Sequence, residues 1–306
     1  MQREEAPLAV IDLGTNTFHL LVGRITTEGE LEEVYRERRF VKLAEFGIGE
    51  IGAAAYRRGQ KALLAFREHL DRLRVQNYRA LATAALRRAS NGAAFIEEAR
   101  IKADINIKLI TGEEEAYLIG KGVAAALGGA LIGNSLIMDI GGGSVEFIIA
   151  DKKTTYFAQS FPIGLAVLYD KFHHTEPIAE EEVAALQVHL LEVLSPLILA
   201  LQEWPCGRLV GAAGVFDVLV DILDAQPIWS SAYQLDTAKL RDFSQRVIEA
   251  DLEKRLEMAG LPTERTDLVV VAMLLIDTAL SLLTGNELVV STYAMKEGTL
   301  LEMQKA

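Results

Sequence analysis

The sequence contains a single cysteine, Cys206, among its 306 residues. One thiol cannot form an internal disulfide, and by itself it cannot make a thiolate metal site. Proline is also scarce, with 7 residues against 24 glycines, while half of the chain is hydrophobic. This composition excludes a disordered or collagen-like protein. The length favours two domains, each large enough to bury a core of its own.

Long hydrophobic runs are missing as well. Residues 1–5 are polar and lead directly into an apolar strand, without the hydrophobic region of a signal peptide. The most apolar stretch, residues 268–283, is too short to span a bilayer and carries Asp277 in its interior. We interpret this stretch as a buried helix. The sequence therefore predicts a soluble, cytoplasmic protein with no membrane partner.

Positive charge is in deficit, because 31 Lys and Arg residues stand against 43 Asp and Glu residues, for a net charge of −12. Nucleic-acid binding relies largely on a basic protein face that neutralises phosphates. The composition thus predicts no nucleic-acid partner. A small polyanionic substrate can still bind where backbone N–H groups and a few basic side chains converge locally.

Apolar strands and helical segments alternate along the chain, which is typical of α/β or α+β layers. Periodicity and turn residues place the main strands at residues 8–11, 18–25, 31–43, 136–138 and 146–150. Helical spacing places the main helices at residues 53–74, 180–201, 216–223, 236–259 and 268–283.

The most informative feature is an internal repeat. Residues 11–17 (IDLGTNT) and 138–144 (MDIGGGS) share the pattern apolar-Asp-apolar-Gly-x-x-Ser/Thr, and each copy lies between two apolar strands. Only two copies occur, far apart in the chain. The repeat therefore indicates a duplicated domain rather than a solenoid.

The repeated segment has the residue types of a phosphate-binding turn. Glycines let backbone N–H groups approach a phosphate closely, because no Cβ intervenes. The carboxylates of Asp12 and Asp139 would repel a phosphate unless a divalent cation lies between them and the substrate. A tight hairpin turn alone would explain one such segment, whereas two matched copies favour phosphate binding. The candidate phosphate-binding residues are Asp12, Gly14, Thr15, Asn16 and Thr17 in the first copy and Gly141, Gly142, Gly143 and Ser144 in the second.

Three consecutive glutamates, Glu113, Glu114 and Glu115, occur at a predicted helix start. Two interpretations stay open for this run. Acidic residues favour helix N-termini through the helix dipole, and a carboxylate can also orient and deprotonate a water that attacks phosphorus. Glu146, two residues after the second Gly-rich segment, either faces the same metal ion or lies on a strand surface.

Basic side chains occur near these segments. A guanidinium can bind two phosphate oxygens at once, so any arginine that lines a phosphate site would contribute to binding. The alternative is that each basic residue is a solvated surface cation. The residues concerned are Arg36, Arg38, Arg39 and Lys42 on an early strand and Arg87 and Arg88 after a later one.

Six segments taken in order resemble the exopolyphosphatase/guanosine pentaphosphate phosphohydrolase family, and they cover essentially the whole chain. The first and fourth of them occur in other actin-like proteins, whereas their combination with Gly-x-Glu-Glu-Ala is specific to the family. The segments are residues 11–19, 86–89, 111–116, 138–146, 211–214 and 296–298.

The resemblance implies an α/β fold of two ribonuclease-H-like domains of the actin-like ATPase superfamily, with the active cleft between them. The expected first domain comprises residues 1–117 plus 297–306, and the second comprises residues 118–296. The implied activity is release of terminal phosphate from inorganic polyphosphate or guanosine pentaphosphate by metal-assisted attack of water. Longer family members carry C-terminal helical domains that these 306 residues lack, so we expect a preference for short or nucleotide-borne polyphosphates.

By position in the motifs, the family's catalytic glutamate corresponds to Glu115, and its metal- and water-organising carboxylates correspond to Asp139 and Glu146. The implied cofactor is Mg²⁺ or another divalent cation, and we expect Asp12 to converge with Asp139 and Glu146 as its ligands. The remaining residues implied to contact substrate are Arg87, Gly211 and Gly214.

Three residues depart from the family's pattern. Val145 stands where the family usually has Thr, and Ala213 and Val215 replace small or hydroxyl residues of the third Gly-rich motif. Val145 removes a hydroxyl near the second turn, and the other two remove hydrogen-bond donors. We therefore expect lower activity or an altered substrate preference.

Two other functions stay open. One is an actin-like kinase that transfers a phosphoryl group to a small acceptor, and the other is a non-catalytic nucleotide- or polyphosphate-binding protein. A kinase is expected to avoid a carboxylate that activates water, so Glu115 favours hydrolysis. The sequence leaves open whether the substrate is polyphosphate or guanosine pentaphosphate. It also leaves the oligomeric state open, with a homodimer as one alternative.

Overall fold

The computed structural model describes residues 6–27, 29–128 and 133–304. The chain divides into two compact units. Unit 1 comprises Met1–Gly122 and Met295–Ala306, and unit 2 comprises Val123–Ala294. The domain boundaries implied by the resemblance, after residues 117 and 296, lie a few residues from these divisions.

Unit 1 contains one five-stranded sheet. Its strands are β1 (Leu8–Leu13), β2 (Thr17–Ile25), β3 (Leu31–Phe40), β4 (Asn77–Ala82) and β5 (Ile107–Leu109). Their order in the sheet is β3-β2-β1-β4-β5. β1, β2 and β3 pair antiparallel with one another, and on the other side of β1 the strands β4 and β5 extend the sheet in parallel.

Helices cover both faces of this sheet. They are α1 (Ala53–Arg72), α2 (Ala84–Arg88), α3 (Gly92–Ala103), α4 (Gly112–Leu127), within which the division between the units falls, and the C-terminal helix, numbered α12 (Met295–Met303). Ile11 of β1 belongs to a core cluster with Phe66 of α1, and Val10 belongs to another with Leu300 of α12. Successive strand residues point to opposite faces. Asp12 therefore lies on the same face as Val10, toward α12.

Unit 2 contains a seven-stranded sheet. Its strands are β6 (Ser135–Ile140), β7 (Val145–Ala150), β8 (Thr155–Phe161), β9 (Arg208–Ala212), β10 (Gln226–Trp229), β11 (Ala232–Leu235) and β12 (Glu287–Ser291). The order is β10-β11-β12-β9-β6-β7-β8. β6, β7 and β8 form an antiparallel meander, and β9 pairs in parallel with β6.

The sheet of unit 2 repeats the arrangement of unit 1. In both units the first strand lies between the second strand, which is antiparallel to it, and the fourth, which is parallel. The third strand then forms one edge of the sheet. The sequence repeat thus corresponds to a repeated sheet topology. The predicted fold of two α/β units, each with a ribonuclease-H-like sheet, is confirmed.

The helices of unit 2 pack around a single large core cluster. They are α5 (Leu165–Phe172), α6 (Glu180–Val193), α7 (Ser195–Glu203), α8 (Val215–Ile222), α9 (Thr237–Glu249), α10 (Leu252–Leu256) and α11 (Val269–Ser281). Residues 269–276 of α11 are all buried, which confirms the interpretation of the apolar stretch as a core helix. In the described part of the chain, no single helix is both long enough and apolar enough to cross a membrane. The bent pair of α6 and α7 meets the two criteria only when its helices are taken together.

Two of the predicted helices were wrong in their extent. The helix predicted over residues 180–201 is two helices, because Pro196 in the first turn of α7 cannot continue a helix from the preceding residues. The helix predicted over residues 236–259 ends at Glu249, and α10 then begins behind Asp251, whose side chain accepts from the N–H of Lys254. The third predicted strand, residues 31–43, ends at Phe40. The sequence patterns also missed β8, α5 and the β10–β11 hairpin.

Candidate active site

The two Gly-rich segments form the tight turns that join β1 to β2 and β6 to β7. A Cβ on Gly14 would lie 2.9 Å from the carbonyl oxygen of Thr17, and a Cβ on Gly141 would lie 2.9 Å from that of Ser144. A side chain would therefore collide with the backbone at the same point of either turn. Among the predicted phosphate-binding residues of the turns, Thr15, Gly143 and Ser144 are buried and the others are half-buried.

The first turn is held by a neighbouring stretch of backbone in unit 1. The carbonyl oxygen of Asn16 accepts hydrogen bonds from the N–H groups of Val41 and Lys42, both at 2.9 Å. The carbonyl oxygen of Thr15 accepts from the N–H of Leu43 at 2.7 Å. These bonds occupy the acceptors of the turn and shape it in advance of any ligand.

The second turn is held in a similar way by the start of α5. The N–H of Leu165 donates to the carbonyl oxygen of Gly141 at 3.0 Å, and the N–H of Ala166 donates to that of Gly142 at 2.9 Å. A Cβ on Gly164 would lie only 2.4 Å from the backbone of the turn. The turn thus packs directly on a glycine that no motif of the sequence had pointed to.

Asp12, at the end of β1, is a half-buried carboxylate with an unusual charge environment in unit 1. Burial raises its pKa to about 6, the positive charge of Lys296 opposes this rise, and the negative charge of Glu297 adds to it. Glu297 is fully buried, and its Oε1 accepts from Nη2 of Arg36 at 2.9 Å. Asp12 is therefore mostly ionised at pH 7 and becomes protonated below about pH 6.

The three consecutive glutamates at the start of α4 have different environments. The N–H of Glu114 donates to Oγ1 of Thr111 at 3.1 Å, and the N–H of Thr111 donates to Oε2 of Glu114 at 3.0 Å. This reciprocal pair is a capping box. Nζ of Lys108 also donates to Glu114 at 2.7 Å and lowers the pKa of that carboxyl. Glu113 is exposed, whereas Glu115 is buried with 8% of its surface exposed.

Arg87 lies beside the start of α4. It belongs to α2, and its Nη1 donates to the carbonyl oxygen of Ile110 at 2.6 Å, next to Thr111. The pKa of Glu113 is lowered mainly by its own backbone N–H and by the Thr111 hydroxyl, with a smaller contribution from the charge of Arg87. The guanidinium and the glutamate run are thus neighbours in unit 1.

Asp139 and Glu146 are direct cross-strand neighbours in unit 2, because the register of β6 and β7 pairs their Cα atoms. Glu146 is buried with 2% of its surface exposed, and its Oε1 accepts from the hydroxyl of Ser160 at 2.6 Å. Of the two interpretations left open for Glu146, the surface position is therefore wrong. Like charges directly opposite each other in a sheet are unfavourable, so a cation shared by the two carboxylates would stabilise the pair.

This pair of carboxylates fits Mg²⁺ by its donor chemistry. Mg²⁺ prefers oxygen ligands and is commonly bound by one or two carboxylates together with waters and substrate phosphates. In the described ranges, no group of three or more His, Cys, Asp or Glu side chains is arranged to hold a metal ion. Asp139 and Glu146 are the paired carboxylates that would hold such a cation; their role as metal ligands, like that of Asp12, stays a prediction.

The third Gly-rich motif joins β9 to α8. A Cβ on Gly211 would lie 2.2 Å from the ring of Phe216, and one on Gly214 would lie 3.2 Å from the carbonyl oxygen of Ile140 at the end of β6. Ala213 has a φ of 56°, in the left-handed region that glycine adopts more easily. This conformation is therefore more costly for Ala213 than it would be for a glycine at the same position. Of the other two departures, Val145 is fully buried and Val215 is nearly so.

Sequence reasoning missed several residues that shape the site. The repeat aligns His19 with Glu146, and the structure pairs His19 with Asp12 across β1 and β2 as it pairs Glu146 with Asp139. Aligning the two copies beyond residue 17 would have found this position. The contacts by which residues 41–43 and Gly164 hold the two turns carry no sequence signal, because they involve backbone atoms; Lys42 had been a candidate only for its charge.

Comparisons with known proteins agree with this architecture. The model of the Ppx/GppA phosphatase family matches residues 21–306. A solved exopolyphosphatase from Cytophaga hutchinsonii is 36% identical, with a TM-score of 0.92 and coverage of 98% of both chains. A PPX-GPPA enzyme from Aquifex aeolicus is 23% identical, with a TM-score of 0.80 and coverage of 97% of this chain and 99% of that one, which shows similarity of fold.

Proposed function

The chain belongs to the Ppx/GppA phosphatase family, and we propose that this phosphatase releases terminal phosphate from inorganic polyphosphate by metal-assisted attack of water. The choice of polyphosphate is supported by the 36% identity to an exopolyphosphatase over nearly the whole of both chains. The two phosphate turns with equivalent close approaches at Gly14 and Gly141 are the observation that carries the proposal.

The turns bind and orient the substrate. Their carbonyl oxygens are bonded to residues 41–43 in unit 1 and to the start of α5 in unit 2. Backbone N–H groups and the hydroxyls of Thr15 and Ser144 then serve as donors to phosphate oxygens. Such donors require no reorganisation when the substrate arrives, because the turn shape is already set.

Mg²⁺, held by Asp139 and Glu146, would neutralise part of the phosphate charge and make the terminal phosphorus more electrophilic. Ser160 keeps Glu146 in place through the hydrogen bond to its Oε1. Arg87 uses one of its N–H donors to bond Ile110. The same guanidinium has further donors that can bind two oxygens of a phosphate and stabilise charge during transfer.

Glu115 is the proposed general base. Its carboxylate takes a proton from a water molecule as the water oxygen forms a bond to the terminal phosphorus. The bond between that phosphorus and its bridging oxygen breaks, and the shortened polyphosphate leaves with the electron pair. Orthophosphate is the other product, and Glu115 afterwards returns the proton to solvent. The burial of Glu115, in contrast to Glu113 and Glu114, supports its selection among the three.

A phosphate-release assay tests this function. Polyphosphate of defined length, guanosine pentaphosphate and ATP are each incubated with the protein, with Mg²⁺ and with a chelator. We expect orthophosphate and chains shortened from their ends when Mg²⁺ and polyphosphate are present together. If phosphate is released only from guanosine pentaphosphate, that compound and not polyphosphate is the substrate. Transfer of phosphate from ATP to an acceptor, or no turnover of any substrate, would refute the proposal.

A further inference from the structure

In the described part of the chain, five residues other than glycine have a positive φ. They are Lys42, Arg74, Asp104, Ala213 and Asp224. Three of them end helices, where a left-handed residue is common. Arg74 follows the cap of α1, Asp104 caps α3, and Asp224 follows the cap of α8. The other two lie at the phosphate-binding motifs. Ala213 is part of the third Gly-rich motif, and Lys42 bonds to the first turn.

The positive φ of Lys42 has a clear role in the backbone. In a regular strand, successive N–H groups point to opposite sides, so only every second one reaches the same neighbour. The three consecutive N–H groups of residues 41–43 nevertheless all donate to carbonyl oxygens of the first turn. The φ of 49° at Lys42 breaks the strand and lets them converge. Val41 and Leu43 meanwhile bury their side chains in the core.

This backbone role does not require a lysine. Glycine adopts positive φ without the steric cost that a Cβ brings, and the backbone N–H of glycine would make the same hydrogen bond. A strained residue at a functional site points to a benefit outside folding. The side chain of Lys42 is half-buried beside a turn that is proposed to hold phosphates. Its ammonium stands on a flexible four-carbon stem, which gives it reach from the backbone to a ligand of the turn.

We propose that Lys42 is a substrate-binding residue whose ammonium contributes positive charge to the phosphates held by the first turn. The inference rests on the proposed function, because it names an additional ligand for the same polyanion. Charge is needed there, since the chain carries −12 overall and Asp12 lies at the entrance of the turn. An ammonium is a compact point charge, so the contact depends on phosphate charge and is weakened by salt.

The test compares Lys42→Gly with Arg74→Gly. Both substitutions remove a positive charge from unit 1 at a residue of positive φ, but Arg74 follows a helix end and makes no hydrogen bond to the turn. We expect Lys42→Gly to raise the KM for short polyphosphate about 10- to 100-fold, the loss of one charged hydrogen bond, with little change in kcat. Arg74→Gly should keep the wild-type KM. Both variants should melt at or above the wild-type temperature.

Two further variants separate charge from backbone effects. Lys42→Arg keeps the charge and should keep KM within about threefold of wild type, whereas Lys42→Asn tolerates positive φ and should bind as weakly as Lys42→Gly. If Lys42→Gly and Arg74→Gly have the same KM and salt dependence, Lys42 is only a turn residue and the inference is wrong.

Binding of tripolyphosphate, measured by calorimetry, distinguishes failure of this inference from failure of the proposed function. If the wild type releases no phosphate from any substrate, the proposed reaction is wrong, and the calorimetric comparison still applies. Tight binding to wild type with weak binding to Lys42→Gly supports the inference. Equal binding to both proteins, or binding to neither, overturns it.

Discussion

Replacement of Glu115 by Gln is the sharpest test of the proposed reaction. The amide has nearly the size of the carboxylate, which matters because Glu115 is buried and a smaller residue would leave a cavity. Gln cannot accept the proton of the attacking water. We therefore expect kcat to fall by ~10²–10⁴-fold, the usual contribution of a positioned general base. This corresponds to roughly 3–5 kcal/mol in the activation barrier.

Substrate binding should respond in the opposite direction. The substitution removes the negative charge that the proposed reaction places beside the polyanion, so tripolyphosphate should bind as tightly as to wild type or more tightly. Phosphate release at saturating polyphosphate gives kcat, calorimetry gives the dissociation constant, and thermal melting followed by circular dichroism verifies the fold. A loss of binding together with activity would indicate a collapsed site instead of a missing base.

Glu114→Gln is the matched control in the neighbouring position. Gln can keep the capping box with Thr111, since the motif accepts Glu or Gln at this place. What is lost is the exposed ion pair with Lys108, and such pairs contribute little to stability. We expect wild-type kcat and a slightly lower melting temperature. If the two Gln variants behave alike, whether both are active or both inactive, the assignment of Glu115 as the base is refuted.

Three further outcomes are expected. Asp139→Asn and Glu146→Gln should each raise the Mg²⁺ concentration for half-maximal phosphate release by at least about tenfold, and an unchanged Mg²⁺ titration would remove the pair as metal ligands. The pKa of Asp12 is raised to about 6 from an ordinary value of 3.8, so its ionised carboxylate disfavours the folded state as pH rises through that interval. Asp12→Asn should then stabilise the fold at pH 7 by about 3 kcal/mol, and not below about pH 4, in denaturant titrations at both pH values. Ala213→Gly should raise the free energy of unfolding by about 1 kcal/mol, because it relieves a Cβ at a φ of 56°, whereas a loss of stability in the same titration would show that the motif is not strained.

Features whose interacting atoms are close in sequence could be predicted without a structure. The Cβ collisions that require Gly14 and Gly141 involve carbonyl groups three residues further on. The reciprocal bonds of Thr111 and Glu114 span the same short distance. The repeat therefore indicated two equivalent turns and a duplicated α/β unit. Helix ends were less predictable, because apolar spacing continues past Pro196, where the chain interrupts the helix.

The sequence by itself thus determined the family, the two turns and the set of candidate carboxylates, because these depend on residue type and short spacings. Only the tertiary structure decided which glutamate of the run is buried. The pKa of Asp12 depends on Lys296 and Glu297 from the other end of the chain, and Lys42 reaches the first turn because β3 returns beside β2. Charge interactions and steric contacts depend on distance in space. Residues far apart in sequence therefore become neighbours only when the chain has folded.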